Sequence, residues 1–165
     1  MKLASITAVI AAAVPAAGEI QPPPPESAFP VRGHVDFGEA GARFGAGRGG
    51  HAHEGQDVFA PAGTPLVSVR DGKVVETGDD GGRGNYVAIW SRAGHRTFVY
   101  LHMRRPTELD PGERVRAGER IGAVGCTGSC WGDHLHLELR RGRGTTGRPH
   151  DPLPLLRRLA RRVAR

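Results

Sequence analysis

The chain has 165 residues, enough for one domain with a real hydrophobic core. Aromatic residues are scarce at 5%, whereas the 25 glycines and 13 prolines favour short strands and many turns over long helices. The net charge of +6 is carried almost wholly by arginine, Lys2 and Lys73 being the only lysines. It suits any anionic partner, a bacterial wall or a membrane surface included, and no RNA-recognition signature, zinc-knuckle spacing or basic–aromatic alternation supports nucleic-acid binding.

The first element, residues 1–17, reads as a signal peptide. Met1-Lys2 gives a short positive region, "LASITAVIAAAV" an apolar one, and "VPAAG" a small-residue cleavage site with Val14 and Ala16 at the −3 and −1 positions. The apolar run is shorter than the ~20 residues of a spanning helix, so export with cleavage is expected ahead of an uncleaved interfacial anchor. A proline-rich stretch follows, to residue 30, and reads as an extended linker without core. "GAGRGG" matches GxGxxG formally, but no apolar strand precedes it and no helix follows, so it reads as a flexible loop.

From Asp57 onward the pattern is strands and turns. "TPLVSVRDGKVVETG" holds two β-rich runs about Asp71-Gly72, and "YVAIW" and "RTFVYLHM" are strands about "SRAGH". "DPGERVRAGERIGAVG" alternates short apolar pieces with turns, and "DHLHLEL" alternates strictly. The fold class expected is all-β, a sheet, sandwich or barrel. The tail is the exception: Leu156, Leu159 and Val163 recur at helical spacing between arginines, predicting a basic amphipathic helix within 152–165. Docking by its leucines is preferred to a role in touching a membrane or an anionic wall polymer. In an exported chain, Cys126 and Cys130 of "GCTGSCWGD" read as a local disulfide that steadies the loop before the next strand.

The chemistry concentrates in three places. On "DHLHLEL", His134, His136 and Glu138 share one face and Leu135, Leu137 and Leu139 the other, with the histidines ~6.8 Å apart. Imidazoles opposite a leucine row need a hydrogen-bond partner or an ion. In "HEGQD", His53 and Asp57 stand four apart on one side of an extended segment. Gly55 and the prolines that follow argue against helix, and no second histidine completes HExxH. In "TFVYLHM", alternation puts Phe98, Tyr100 and His102 on one face and Val99, Leu101 and Met103 on the other. Three strand-borne donor sets could line one groove.

In this order, "HEGQD", "APAGTPL", "DGKV", "GNYVAIW", "YLHM", "VRAGERIGAVGCTGS" and "DHLHLEL" resemble the lysostaphin-type (LytM-like) zinc metallopeptidases over roughly residues 29–140. The resemblance implies a compact antiparallel β-sheet groove, a metallopeptidase domain over about 31–145, and hydrolysis of peptide bonds in bacterial peptidoglycan. It implies one zinc ion per chain held by His53, Asp57 and His136, with His102 and His134 as the two non-ligand histidines of the active site. Two nitrogens and one carboxylate leave a fourth position for water, as in catalytic rather than structural zinc. The implied partners are stem or cross-bridge peptides of the wall; the sequence leaves the oligomeric state open, with a monomer favoured. The alternative is a non-catalytic module of the same fold that activates another wall hydrolase, a class that typically loses ligands; here all five positions are filled. Of the other donors, His51 reads as a loop bystander, Glu54 as solvated and facing away, and Tyr100 as either groove or core. Glu138 reads as either a partner for an imidazole or an exposed carboxylate. His34, His95 and His150 read as surface residues. The resemblance leaves the bond cleaved, and the division of labour between His102 and His134, open.

Overall fold

In the computed structural model residues 26–163 are described, so the expected signal peptide and most of the proline-rich stretch lie outside the described residues. Wherever turn residues bracket an alternating run, a strand forms. In chain order these are β1 (Gln56–Phe59), β2 (Pro65–Val67), β3 (Gly72–Asp80), β4 (Gly84–Ser91), β5 (Arg96–Met103), β6 (Arg114–Val115), β7 (Arg120–Ala123), β8 (His134–Arg141) and β9 (Pro149–His150). One helix, α1 (Leu153–Val163), closes the chain. Seven strands form one antiparallel sheet in the order β1-β8-β5-β4-β3-β6, with β9 also pairing on β8, while β2 and β7 make a separate ribbon. The expected all-β class with a short C-terminal helix is the fold observed. Among the described residues no helix is long and apolar enough to cross a membrane.

The main core lies on one face of the sheet. Val58, Leu135, Leu137, Phe98, Tyr100, Val87 and Ile89 pack there under Leu66 of β2, Ile121 of β7, and Leu156 and Leu159 of α1. Each fully buried leucine contributes on the order of 2 kcal/mol, so this face supplies the stability that the polar opposite face cannot. Phe29 and Pro30, expected in the linker, are buried, and Phe29 belongs to this core. In α1 the leucines are covered and Arg157, Arg158, Arg161 and Arg162 face water, as the spacing requires, but Val163 is exposed. Asp151 Oδ1 accepts the Leu153 backbone N–H, capping a first turn whose Pro154 needs no partner of its own.

Strict alternation fails at one place on β5. Phe98 and Tyr100 enter the main core, while Val99 and Leu101 join Tyr86 and Ala88 in a second cluster. His102 should follow Tyr100 inward. Instead its φ of 61° turns the side chain to the groove face beside Leu101, and Met103 takes the core position. The pairing with β4 slips between Asn85 and Val87 at the same level, which accommodates the extra turn. Histidine is one of the few residues other than glycine that tolerate this region. The expectation that His102 shares a face with Phe98 and Tyr100 is therefore corrected.

Tyr100 is core rather than groove. It is fully buried, and its phenol oxygen accepts the Val69 backbone N–H at 2.8 Å. Replacing Tyr100 by Phe would leave that buried donor unpaired. Urea unfolding of the Tyr100→Phe protein is expected to show a loss of about 1–3 kcal/mol with no change in metal binding; a change in metal binding would contradict the core placement.

Candidate metal centre

The register of β1 against β8 sets Asp57 directly opposite His136 and Phe59 opposite His134. Alternation along β8 then puts His134, His136 and Glu138 on the groove face, as expected, with Leu135 and Leu137 in the core. His53 reaches the same point from the segment before β1. Its backbone N–H donates to Ala46 O at 2.8 Å, and Gly45 N–H donates to His53 O at 2.8 Å. The "GAGRGG" stretch is thus one arm of a hydrogen-bonded hairpin, not a free loop, turning through Gly49 and Gly50 at positive φ.

Three donor atoms converge. His53 Nε2 lies 2.8 Å from His136 Nδ1 and 3.1 Å from Asp57 Oδ1, and His136 Nδ1 lies 3.0 Å from Asp57 Oδ1. A tetrahedron with zinc bonds of ~2.0–2.1 Å has edges of ~3.3 Å, close to this triangle. The remaining atoms of the three side chains are placed in the sense that favours an ion. His53 Nδ1 lies 2.9 Å from Arg43 O; a carbonyl can only accept, so the proton sits on Nδ1 and the Nε2 lone pair faces the cluster. His136 Nε2 is buried with Glu138 Oε1 3.4 Å away, so a proton there leaves the Nδ1 lone pair facing inward. Lone pairs and a carboxylate oxygen this close repel unless a cation or proton sits among them. The three residues, all buried, could hold a metal ion, and their N₂O set suits zinc.

Both other histidines line the groove beside this cluster, at ring-centroid distances of 5.0 Å from each other and 5.8 Å from His102 to His136. Nδ1 of His102 lies 2.8 Å from Thr127 O and Nδ1 of His134 lies 2.7 Å from Gly132 O. By the same argument both carry Nδ1–H and keep Nε2 as an acceptor. Burial pushes the His102 imidazole down to about 4, although its bond to Thr127 O works the other way. Burial also lowers His134. Burial raises the Asp57 carboxyl, but the His136 and His53 imidazoles against it, which gain protons at its expense when no ion is bound, more than reverse this and hold it well below the usual carboxylate range. These side chains line a groove of about 710 Å³.

Arg48 and Trp131 escaped the sequence reading, and Glu138 and Glu54, both named there, gain defined partners. Arg48, at the hairpin tip, donates to Asp57 Oδ2 at 2.9 Å and orients the carboxylate; its only sequence signal is a cation in a glycine run. Glu138 is buried rather than exposed, with Oε2 accepting from Arg140 Nε at 2.6 Å and Oε1 3.4 Å from His136 Nε2. Glu54 is exposed but ion-paired with Arg140 rather than free. Trp131 stands 92% exposed on the groove rim, an unusual position for the largest side chain. His51 is an exposed residue at the rim, and Cys126 and Cys130 form the expected disulfide.

Residues 51–152 match the model of peptidase family M23. The chain belongs to that family. It is 34% identical over 112 residues to the glycyl-glycine endopeptidase ALE-1 of Staphylococcus capitis, covering 67% of this chain and 31% of that one. It is 42% identical over 89 residues to the peptidoglycan DD-endopeptidase ShyC of Vibrio cholerae, covering 53% and 20%. The chain thus spans a fifth to a third of the length of these curated relatives. The catalytic domain of lysostaphin from Staphylococcus simulans superposes with a TM-score of 0.63 at 31% identity, over 70% of this chain and 89% of that one. A zinc-containing peptidase from Vibrio cholerae gives 0.64 at 26%, over 78% and 39%.

Two outcomes test the geometry. A Cβ on Gly55 would lie 2.5 Å from His136 Nε2 and 2.5 Å from Leu137 O, so Gly55→Ala must displace the imidazole. Zinc affinity by chelator competition is expected to fall tenfold or more. For His102 the folded value lies below the ordinary 6.5, so the unfolded chain takes up the proton first. Stability that is complete above pH ~6.5 is lost as pH falls towards 4, by on the order of 2–3 kcal/mol. Melting of metal-free protein across that range is expected to show this slope, flattened in His102→Asn, a residue that also accepts positive φ.

Proposed function

We propose that this protein is an exported zinc metalloendopeptidase that hydrolyses peptide bonds in bacterial peptidoglycan. The observation that carries the reading is the joint geometry of five side chains. His53 Nε2, Asp57 Oδ1 and His136 Nδ1 converge in one buried cluster, and two further histidines line the groove beside it, each with Nδ1 on a backbone carbonyl and His134 Nε2 3.6 Å from Asp57 Oδ1. The named activities of the relatives, glycyl-glycine endopeptidase and peptidoglycan DD-endopeptidase, are both cleavages of wall peptides and support the substrate class.

In this reading His53, Asp57 and His136 are the ligands. Bound zinc supplies Lewis acidity that polarises the scissile carbonyl and acidifies water. Arg48 and Glu138 hold the ligand carboxylate and imidazole in place from behind. His102 and His134 move protons. Neutral and carrying Nδ1–H, each presents a lone pair first, so each begins as an acceptor for the proton of the attacking water. Only after taking that proton can its Nε2–H steady the tetrahedral oxyanion or pass the proton to the leaving amine. Burial keeps His102 neutral at physiological pH, which is the state this role requires. The exposed ring of Trp131 offers an apolar platform at the rim for the substrate chain.

Mass spectrometry of digested sacculi, with zinc content measured in parallel, tests the reading. Wild-type protein is expected to release peptides and to retain zinc at micromolar affinity. His136→Ala is expected to lose both. His134→Ala is expected to keep zinc within a few-fold while cleavage falls by a hundredfold or more. Zinc-loaded protein that cuts neither sacculi nor cross-linked muropeptides would instead identify a non-catalytic wall module.

A further inference from the structure

The loop between β7 and β8 supplies both carbonyls that fix the non-ligand histidines. Thr127 O, inside the disulfide ring, accepts from His102 Nδ1, and Gly132 O, two residues beyond it, accepts from His134 Nδ1. The two ends of the loop are held differently. Around Thr127 the anchorage is independent of sulfur: its hydroxyl donates to Met103 O at 2.8 Å and accepts the Asn85 backbone N–H at 2.9 Å, and Ser129 N–H donates to Gly82 O at 3.0 Å. Gly132, by contrast, is an exposed glycine at a φ of 113° whose N–H donates to Cys126 Sγ at 3.2 Å. Cys130 Sγ lies 3.0 Å from Gly132 O and 3.8 Å from His134 Nδ1. A glycine at such a φ has wide freedom; the residues after it are held by Asp133 Oδ2, which accepts the Ala62 N–H at 3.3 Å, and by His134 N–H on Gly125 O, while on its own side the contacts to Gly132 N–H and O are the cystine sulfurs.

We propose that the Cys126–Cys130 disulfide is a positioning device for His134: it holds the Gly132 carbonyl where that carbonyl fixes the His134 imidazole as the Nδ1–H tautomer with Nε2 in the groove. The bridge spans so few residues that its contribution to global stability is small. Its effect is local and one-sided, because His102 takes its tautomer from a carbonyl anchored through Asn85 and Met103. The inference rests on the proton-handling role given to His134 above, but the state of the imidazole can be read without any activity.

Long-range ¹H–¹⁵N spectra of the histidine side chains, recorded on zinc-loaded wild type and Cys126→Ala/Cys130→Ala, test it. Wild type is expected to show Nδ1–H signatures for both His102 and His134. In the double variant His102 keeps its signature and His134 shows averaged tautomers. Sacculus digestion is expected to lose tenfold or more in kcat with KM within twofold and zinc affinity within threefold. If the double variant does not fold, reduction of folded wild type by a water-soluble phosphine reaches the same state: the cystine gains two electrons and two protons, and the phosphine becomes its oxide with oxygen from water. The half-buried Cys130 and exposed Cys126 leave the bond accessible. An unchanged His134 signature without the bridge overturns the proposal, as does a fall in kcat that merely follows loss of zinc. Failure of wild type to cut sacculi would count against the proposed function alone, since the tautomer measurement still decides the role of the bridge.

Discussion

The pairing of Asp57 opposite His136 across β1 and β8 is the constraint on which the rest of the site depends. Opposite residues in an antiparallel pair lie close enough for their side chains to share one atom, and a slip of one residue would send either side chain into the core. Gly55 then lets the chain pass the His136 ring at a distance that any side chain would forbid, and the hairpin before it delivers His53 to the same point. Each donor is held from behind by a different element: Arg43 O behind His53, Glu138 behind His136, and Arg48 behind Asp57. Those partners decide which nitrogen bears a proton and so which lone pairs face one another.

Such a cluster is expensive to build. Four histidines, an aspartate and a glutamate are buried on one face of a sheet, and burial without partners would cost several kcal/mol for each charged group. Two features offset this. The reverse face is a dense apolar layer closed by the β2–β7 ribbon and the leucines of α1. The donor face is networked, with Glu138, Arg140 and Glu54 forming an ion-paired chain that runs from the His136 imidazole to water. The arginine richness of the chain is therefore partly structural: Arg48 and Arg140 serve the site, while the arginines of α1 face solvent.

Much of the site was legible because period-two alternation is local. "DHLHLEL" sorts itself into a leucine row and a donor row whatever the strand pairs with, and the helical spacing of Leu156 and Leu159 likewise marks a docked face. His102 was legible as a donor but misplaced, since one residue at positive φ reverses the face and nothing in "YLHM" announces it. Arg48 and Trp131 were not legible at all. Both sit on turns between elements, where direction is set by the loop's own hydrogen bonds rather than by a repeat.

By itself, then, the amino-acid order marked most of the strands, the two faces of β8, the cystine and the strand-borne histidines and carboxylates, because these follow from residue type and short-range spacing; that five of them form one site is what the family resemblance implies. Only the tertiary structure decided that Asp57 meets His136, that His102 turns away from Tyr100, and that Glu138 and Arg48 stand behind the donors. Register, a left-handed backbone residue and a folded hairpin join parts of the chain that are far apart in sequence, and no local pattern carries the energy that selects them.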